Sequence, residues 1–140
     1  MRIKRIKDKE KLRNTLETIF NKFDKKNNVD IDYEEFYYIA EENGNIIGGM
    51  SGWRAYNEIY ILEIGIEEKS RKQGVGKKLL ETVEKELNNG SCDNINLVTN
   101  EFNNAVGFYE KLGFEIEFKR ENKINKKVNK YYMKKSLKSN

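Results

Sequence analysis

The chain has 140 residues, of which 37% are hydrophobic and 36% charged, with eight Tyr, seven Phe and one Trp. That is one domain's worth of chain, too aromatic for a disordered tail. One cysteine and no histidine exclude a disulfide framework, a multi-cysteine zinc site, a Ser-His-Asp triad and a Cys-His pair, so acid–base chemistry falls to Glu, Asp, Tyr, Lys or water.

Ile3 and Ile6 among Arg and Lys predict a short strand over residues 1–6. Asp8 reads as a helix N-cap, and Leu12, Leu16, Ile19, Phe20 and Phe23 follow at helical spacing. Residues 36–42 and 46–53 read as strands joined at Asn43-Gly44, a hairpin signal. Residues 58–66 form another strand. The clearest helix is 74–89, with Val75, Leu79, Leu80, Val83 and Leu87 on one stripe and Gly90 as its stop. A strand over 95–99, a helix over 103–112 ended by Gly113, a strand over 114–119 and a last strand over 128–135 complete the order. No repeat or linker interrupts it, so residues 1–140 are expected to be a single domain. No apolar run approaches the ~18 residues of a membrane helix and no signal-peptide core follows Met1, which predicts a cytoplasmic protein without a membrane partner.

Arg71-Lys72-Gln73-Gly74-Val75-Gly76 stands between a strand and the strong helix. A glycine-containing loop that opens a helix offers unpaired backbone N–H groups and the positive end of the helix dipole, a phosphate cradle. The dinucleotide fingerprint fails because Leu79 takes the place of its third Gly or Ala. The Walker loop fails at Arg71 and Lys78. The twelve residues 24–35 have the length of a calcium loop, but Lys26 and Val29 occupy an oxygen-ligand position and the glycine position; no metal site is expected. The segment is expected instead to border an acceptor cleft. Cys92, in a polar connector, has no base near it in sequence to activate it.

The loop, taken with Phe108-Tyr109-Glu110-Lys111-Leu112-Gly113-Phe114 about 30 residues later, resembles the GNAT acetyltransferase superfamily. Arg71, Gly74 and Gly76 meet that family's Arg/Gln-x-x-Gly-x-Gly/Ala loop; Phe108, Tyr109, Gly113 and Phe114 meet its Phe-Tyr-x-x-x-Gly-Phe helix end. Gly48-Gly49, residues 99–102 and the closing residues 132–137 also look like a bacterial subgroup. The likeness spans nearly the whole chain. It implies an α/β (α+β) fold, a mixed, mostly antiparallel twisted sheet with helices on both faces.

The resemblance also implies acetyl-coenzyme A as donor and direct transfer of its acetyl group to a primary amine of a small molecule or a protein. On that pattern Ile64, Gly65 and Ile66 offer backbone groups to the donor, and Arg71, Lys72, Gln73, Gly74, Val75 and Gly76 hold its pyrophosphate. The family often carries Asn seven residues before the Tyr; Phe102 is there instead, which leaves Asn103 or Asn104 as the contact. Tyr109 would serve as general acid to the leaving thiolate. An amine with pKa ~10.4 is protonated at neutral pH, so a base is needed: Glu63 directly or through water, with Glu58 as runner-up.

Charge adds one more expectation. Residues 28–68 hold ten acids and one base, Arg54, whereas from Arg120 onward eight basic residues face Glu121 alone. Acidic walls concentrate cations, which predicts a cationic acceptor. An inactive acyl-coenzyme A sensor and a basic nucleic-acid-binding protein are the rival readings, and a homodimer stays open.

Overall fold

The computed structural model describes residues 1–88 and 90–137. The chain divides into two compact units, Met1–Ile31 and Asp32–Asn140. In the first, helix α1 spans Lys9–Lys26, and Asp8 caps it by accepting the Lys11 amide at 3.0 Å. The expected strand over residues 1–6 is absent. Ile3 and Ile6 stand three apart, which is not the two-residue period of a strand, and Ile3 is 87% exposed. No residue of α1 is buried.

The second unit is built on a six-stranded sheet. β1 (Glu34–Glu42), β2 (Asn45–Ala55), β3 (Glu58–Ile66), β4 (Asn94–Asn100), β5 (Glu115–Arg120) and β6 (Lys130–Ser136) lie in the order β1-β2-β3-β4-β6-β5. Every neighbouring pair is antiparallel except β3–β4. Between β3 and β4 the chain crosses over through α2 (Val75–Leu87), as parallel neighbours require. The β1–β2 connection is the Asn43-Gly44 turn, with φ of 52° and 79°. Positive φ at both central residues is the hairpin geometry whose twist matches the flanking strands.

The apolar stripe of α2 (Leu79, Leu80, Val83 and Leu87) is buried with Phe36, Met50, Ile59, Ile61, Ile95, Leu97 and Met133 of the sheet. Cys92 joins this core at 1% exposure, with its thiol donating to the Leu87 carbonyl at 3.7 Å. Arg54 reaches across the same layer. Its guanidinium donates to the Leu87 carbonyl at 3.1 Å and pairs with Asp32 at 3.0 Å and Glu34 at 3.1 Å. Gly52 is forced by close approach: a Cβ there would stand 1.9 Å from the Tyr60 carbonyl oxygen. No helix among the described residues is long and apolar enough to cross a membrane.

Candidate active site

β3 and β4 pair over only three positions, Glu58 with Asn94, Ile59 with Ile95 and Tyr60 with Asn96. Beyond them β3 pairs with β2 alone and β4 with β6 alone. The two strands part and leave backbone groups on both inner edges without a ladder partner. A cleft of about 780 Å³ fills the gap. Leu62, Glu63, Ile64, Gly65 and Ile66 form one wall and residues 97–100 the other. A β-bulge lies where they separate: Gly52 faces Ile61 and Ser51 faces Glu63, so Leu62 is the extra residue. A bulge of this kind bends its strand and increases the local twist.

The cleft is closed at one end by the loop before α2. Arg71 Nε donates to the Ile66 carbonyl at 3.1 Å, pinning the loop to the end of β3. Gly74, with φ of 81°, takes the N-cap position. The first amide of the helix to find an intrahelical acceptor is that of Lys78, bonded to the Gly74 carbonyl at 3.0 Å. No side chain caps this end and no acidic residue stands in its first turn, so the amides before Lys78 and the positive helix end are directed to an outside acceptor. A Cβ on Gly74 would have no heavy atom within 4 Å; glycine is set here by conformation, and the space before it is open. A Cβ on Gly76 would stand 3.1 Å from Phe108 Cζ, so this glycine lets the Phe108 ring pack on the start of α2.

The inner end is formed by α3 (Val106–Lys111), which is shorter than the 103–112 helix expected. Asn104 adopts φ of 50° and separates a 3₁₀ turn (Glu101–Asn103) from α3. On α3, Tyr109 is 5% exposed. Its ring meets Phe108 and Phe114 edge-on, with centroids 5.1 Å and 5.7 Å away. Among the described residues its hydroxyl has no hydrogen-bond partner, yet the one fully buried, unpartnered side-chain polar atom is Arg54 Nε. The hydroxyl therefore opens into the cleft that Tyr109 lines. Burial pushes its pKa up, which keeps the phenol protonated and able to donate.

Of the residues singled out from sequence, Tyr109, Glu63, Ile64, Gly65, Ile66, Arg71, Lys72, Gly74, Val75, Gly76 and Asn103 line this cleft. Gln73 does not; its side-chain amide turns back to the Lys69 carbonyl at 3.2 Å. Asn104 does not either, whereas Asn103 lies on the cleft and reaches Thr99 Oγ1 at 3.5 Å. Ser70, Thr99, Asn100 and Phe102 also line it. Thr99 is detectable in principle as the polar member of an inward-facing row with Ile95 and Leu97; Ser70 carries no sequence signal.

The two candidate bases are separated by their surroundings. Glu63 is exposed on the cleft wall and accepts from Ser51 Oγ at 3.1 Å. Glu58 lies outside the cleft, accepting from Tyr60 Oη at 2.6 Å, Asn94 Nδ2 at 2.9 Å and Asn96 Nδ2 at 3.3 Å. Burial would raise its carboxyl, but these hydrogen bonds and the Lys134 ammonium hold it below the ordinary value, which makes it a weaker proton acceptor. From Asp32 onward the acidic segment does not form one wall. Of its nine carboxylates from Asp32 onward only Glu63 lines the cleft. Asp32 and Glu34 are taken by Arg54, and Glu35 accepts from Tyr33 and Tyr37. Residues 32–35 do not line this cleft.

Comparisons with known proteins bear on the family and the fold. An acetyltransferase of Yersinia pestis (strain Pestoides F) is 32% identical over 84 residues, covering 59% of this chain and 60% of the relative. The match thus spans less than two thirds of that relative's length. The crystal structure of an acetyltransferase from Bacillus cereus superposes with a TM-score of 0.73 at 26% identity, covering 96% of this chain and 98% of the other. A Bacillus anthracis protein provisionally called a streptothricin acetyltransferase, solved with acetyl coenzyme A, gives 0.66 at 29% identity over 74% of this chain and 63% of its own. The sequence matches the acetyltransferase (GNAT) family over residues 5–114, well over half its length, and the chain belongs to that family.

Proposed function

We propose that the protein is an N-acetyltransferase, moving an acetyl group from acetyl-coenzyme A directly to a primary amine. The observation that carries this is the parting of β3 and β4 beside an uncapped helix start, with the free Tyr109 hydroxyl at the far end of the same cleft. The residues fit such a donor. Unpaired backbone edges suit a chain of amides laid between strands, and the amides at Gly74, Val75 and Gly76 suit a pyrophosphate. When bound, the donor supplies an activated acetyl thioester. Ile64 and its neighbours offer an N–H to the carbonyl oxygen as charge develops there. Tyr109 donates its proton to the leaving sulfur, and Glu63, directly or through water, accepts the proton the amine must lose. Arg71 positions the loop, Lys72 adds positive charge, and Asn103, in preference to Asn104, is the asparagine that meets the donor.

The acceptor is read as a cationic amine on a small molecule, or a protein amine, in the cytoplasm. Support comes from the exposed Glu63 carboxylate on the cleft wall and from the Bacillus anthracis relative's provisional name. The deciding experiment is release of free thiol from acetyl-coenzyme A across a panel of amines, with Tyr109→Phe beside the parent. Turnover is expected to fall ~10²-fold while donor affinity stays level. Silence with every amine, together with intact donor binding, points to an acyl-coenzyme A sensor. Unchanged turnover in Tyr109→Phe reduces that residue to packing.

A further inference from the structure

Outside the cleft, the loop between β5 and β6 is shaped by its own asparagines. Asn122 Oδ1 accepts the amides of Ile124 at 3.0 Å and Asn125 at 2.8 Å. Asn125 Oδ1 accepts the Lys127 amide at 3.0 Å, and Asn129 Oδ1 accepts the Asn122 amide at 2.7 Å. These bonds order a polar loop in which Ile124 is 98% exposed and Val128 is half-buried. The loop surrounds a pocket of about 470 Å³ lined by Lys119, Lys123, Lys126 and Lys127 against Glu101 and Glu121, with Asn129 among its walls.

Asn129 is 5% exposed. Its carbonyl oxygen is used within the loop, while its Nδ2 has no partner among the described residues and is not sealed from solvent. A buried amide thus presents its N–H groups to the pocket. Lys123, Lys126 and Lys127 are in no ion pair with a described residue, in contrast to Lys134 with Glu117 and Lys135 with Glu84. Ordered donors around unpaired ammonium groups call for an anion with several acceptor oxygens. The two carboxylates on the same wall call for a donor beside that anion, as a hydroxyl on a neighbouring carbon provides. We propose that this pocket is a second ligand site, for a phosphate monoester carried on a sugar.

Its place limits the source to two. The turn Glu101–Asn103 is shared, with Glu101 on the pocket and Phe102 and Asn103 on the cleft. That turn is tied to the loop by the Glu101 amide on the Asn129 carbonyl at 2.8 Å and Asn100 Nδ2 on the Val128 carbonyl at 3.3 Å. The sugar phosphate is either the 3′-phosphoribose of the donor itself, reaching past this turn, or a separate sugar phosphate. The first source rests on the donor reading above; the pocket does not.

The test is calorimetric titration of coenzyme A and 3′-dephospho-coenzyme A into the parent and into a Lys126→Gln, Lys127→Gln variant. Ribose 5-phosphate is followed in parallel by the NMR shifts of the amides of residues 121–129. Both changes lie on an exposed loop and leave its asparagine bonds in place. If the donor fills the pocket, the parent binds coenzyme A ~10-fold tighter than the dephospho form, and the ratio falls to ~1 in the variant. If a separate molecule fills it, the two coenzymes bind alike and ribose 5-phosphate moves the loop amides saturably in the parent alone. Loss of all coenzyme binding alongside a ribose 5-phosphate response sinks the donor reading and keeps the pocket. Equal coenzyme affinities with no ribose 5-phosphate response overturn the proposal.

Discussion

The same two strands, β3 and β4, behave in opposite ways along their length. In the first half they are bonded neighbours, and Ile59 and Ile95 beneath them are 0% and 1% exposed. Above them Glu58 gathers Tyr60 and Asn94 and Asn96 of the other strand, so side chains clamp what the backbone already joins. In the second half the clamp is gone, Leu62 inserts a bulge, and α3 brings Phe108 and Tyr109 to the gap. A backbone group without a ladder partner must be met by water or by a ligand. The proposed site lies where β3 and β4 leave ladder hydrogen bonds unmade, past the polar clamp and the one extra residue.

The contrast can be broken first at the closed end. Ile59→Ala removes a side chain with no exposure and is expected to cost about 2–5 kcal/mol in denaturant unfolding, with donor affinity preserved in the fraction that remains folded. A loss under 1 kcal/mol by the same measurement would show that the closed half does not anchor the sheet.

Gly74→Val tests the open end with a smaller stability change. A β-branched residue at φ of 81° is expected to cost about 1–2 kcal/mol. It also fills the space before the helix amides, so donor affinity should drop by more than that cost. Parent-like affinity in the folded variant returns this loop to an ordinary turn.

The clamp itself sharpens the comparison through pH, with the smallest effect. The folded Glu58 carboxyl sits below its ordinary value, so folding sheds protons there; its contribution is present above the unfolded pKa of about 4.3 and fades as pH falls through the folded one. Tyr60 is pushed up to about 12 by the Glu58 hydrogen bond and by burial. Its contribution is present below the unfolded value of about 10 and is lost as pH rises toward 12. The difference in stability between the parent and Glu58→Gln should be level from about pH 5 to 10 and shrink on both sides. A difference that does not vary with pH would remove the clamp from the account.

Local pattern in the sequence reveals the closed half of this architecture and the glycine loop. The 58–66 strand is found with the bounds read from its isoleucines, the stripe of α2 is buried as its spacing requires, and Asn43-Gly44 turns as it should. What does not show is what depends on distant partners. The pairing of β4 with β6 and not β5 is a non-local choice. The bulge at Leu62 appears only in the register with β2. Asn104 ends a turn that its neighbours' helical spacing extends, because a left-handed asparagine leaves no periodic mark. A charge sum along residues 28–68 does not show placement either: Arg54, a single base within that run, pairs with two of its carboxylates.

Cys92 bears on the thiol-release measurement proposed above. It is the chain's only thiol, it is 1% exposed, and burial pushes its pKa up, so as a thiol reagent's target it is silent while the core stays shut. A colorimetric count of sulfhydryls is therefore blind to the folded protein. When the junction of α2 and β4 opens, the same residue becomes a one-per-molecule clock, and its labelling rate measures how often that part of the core breathes.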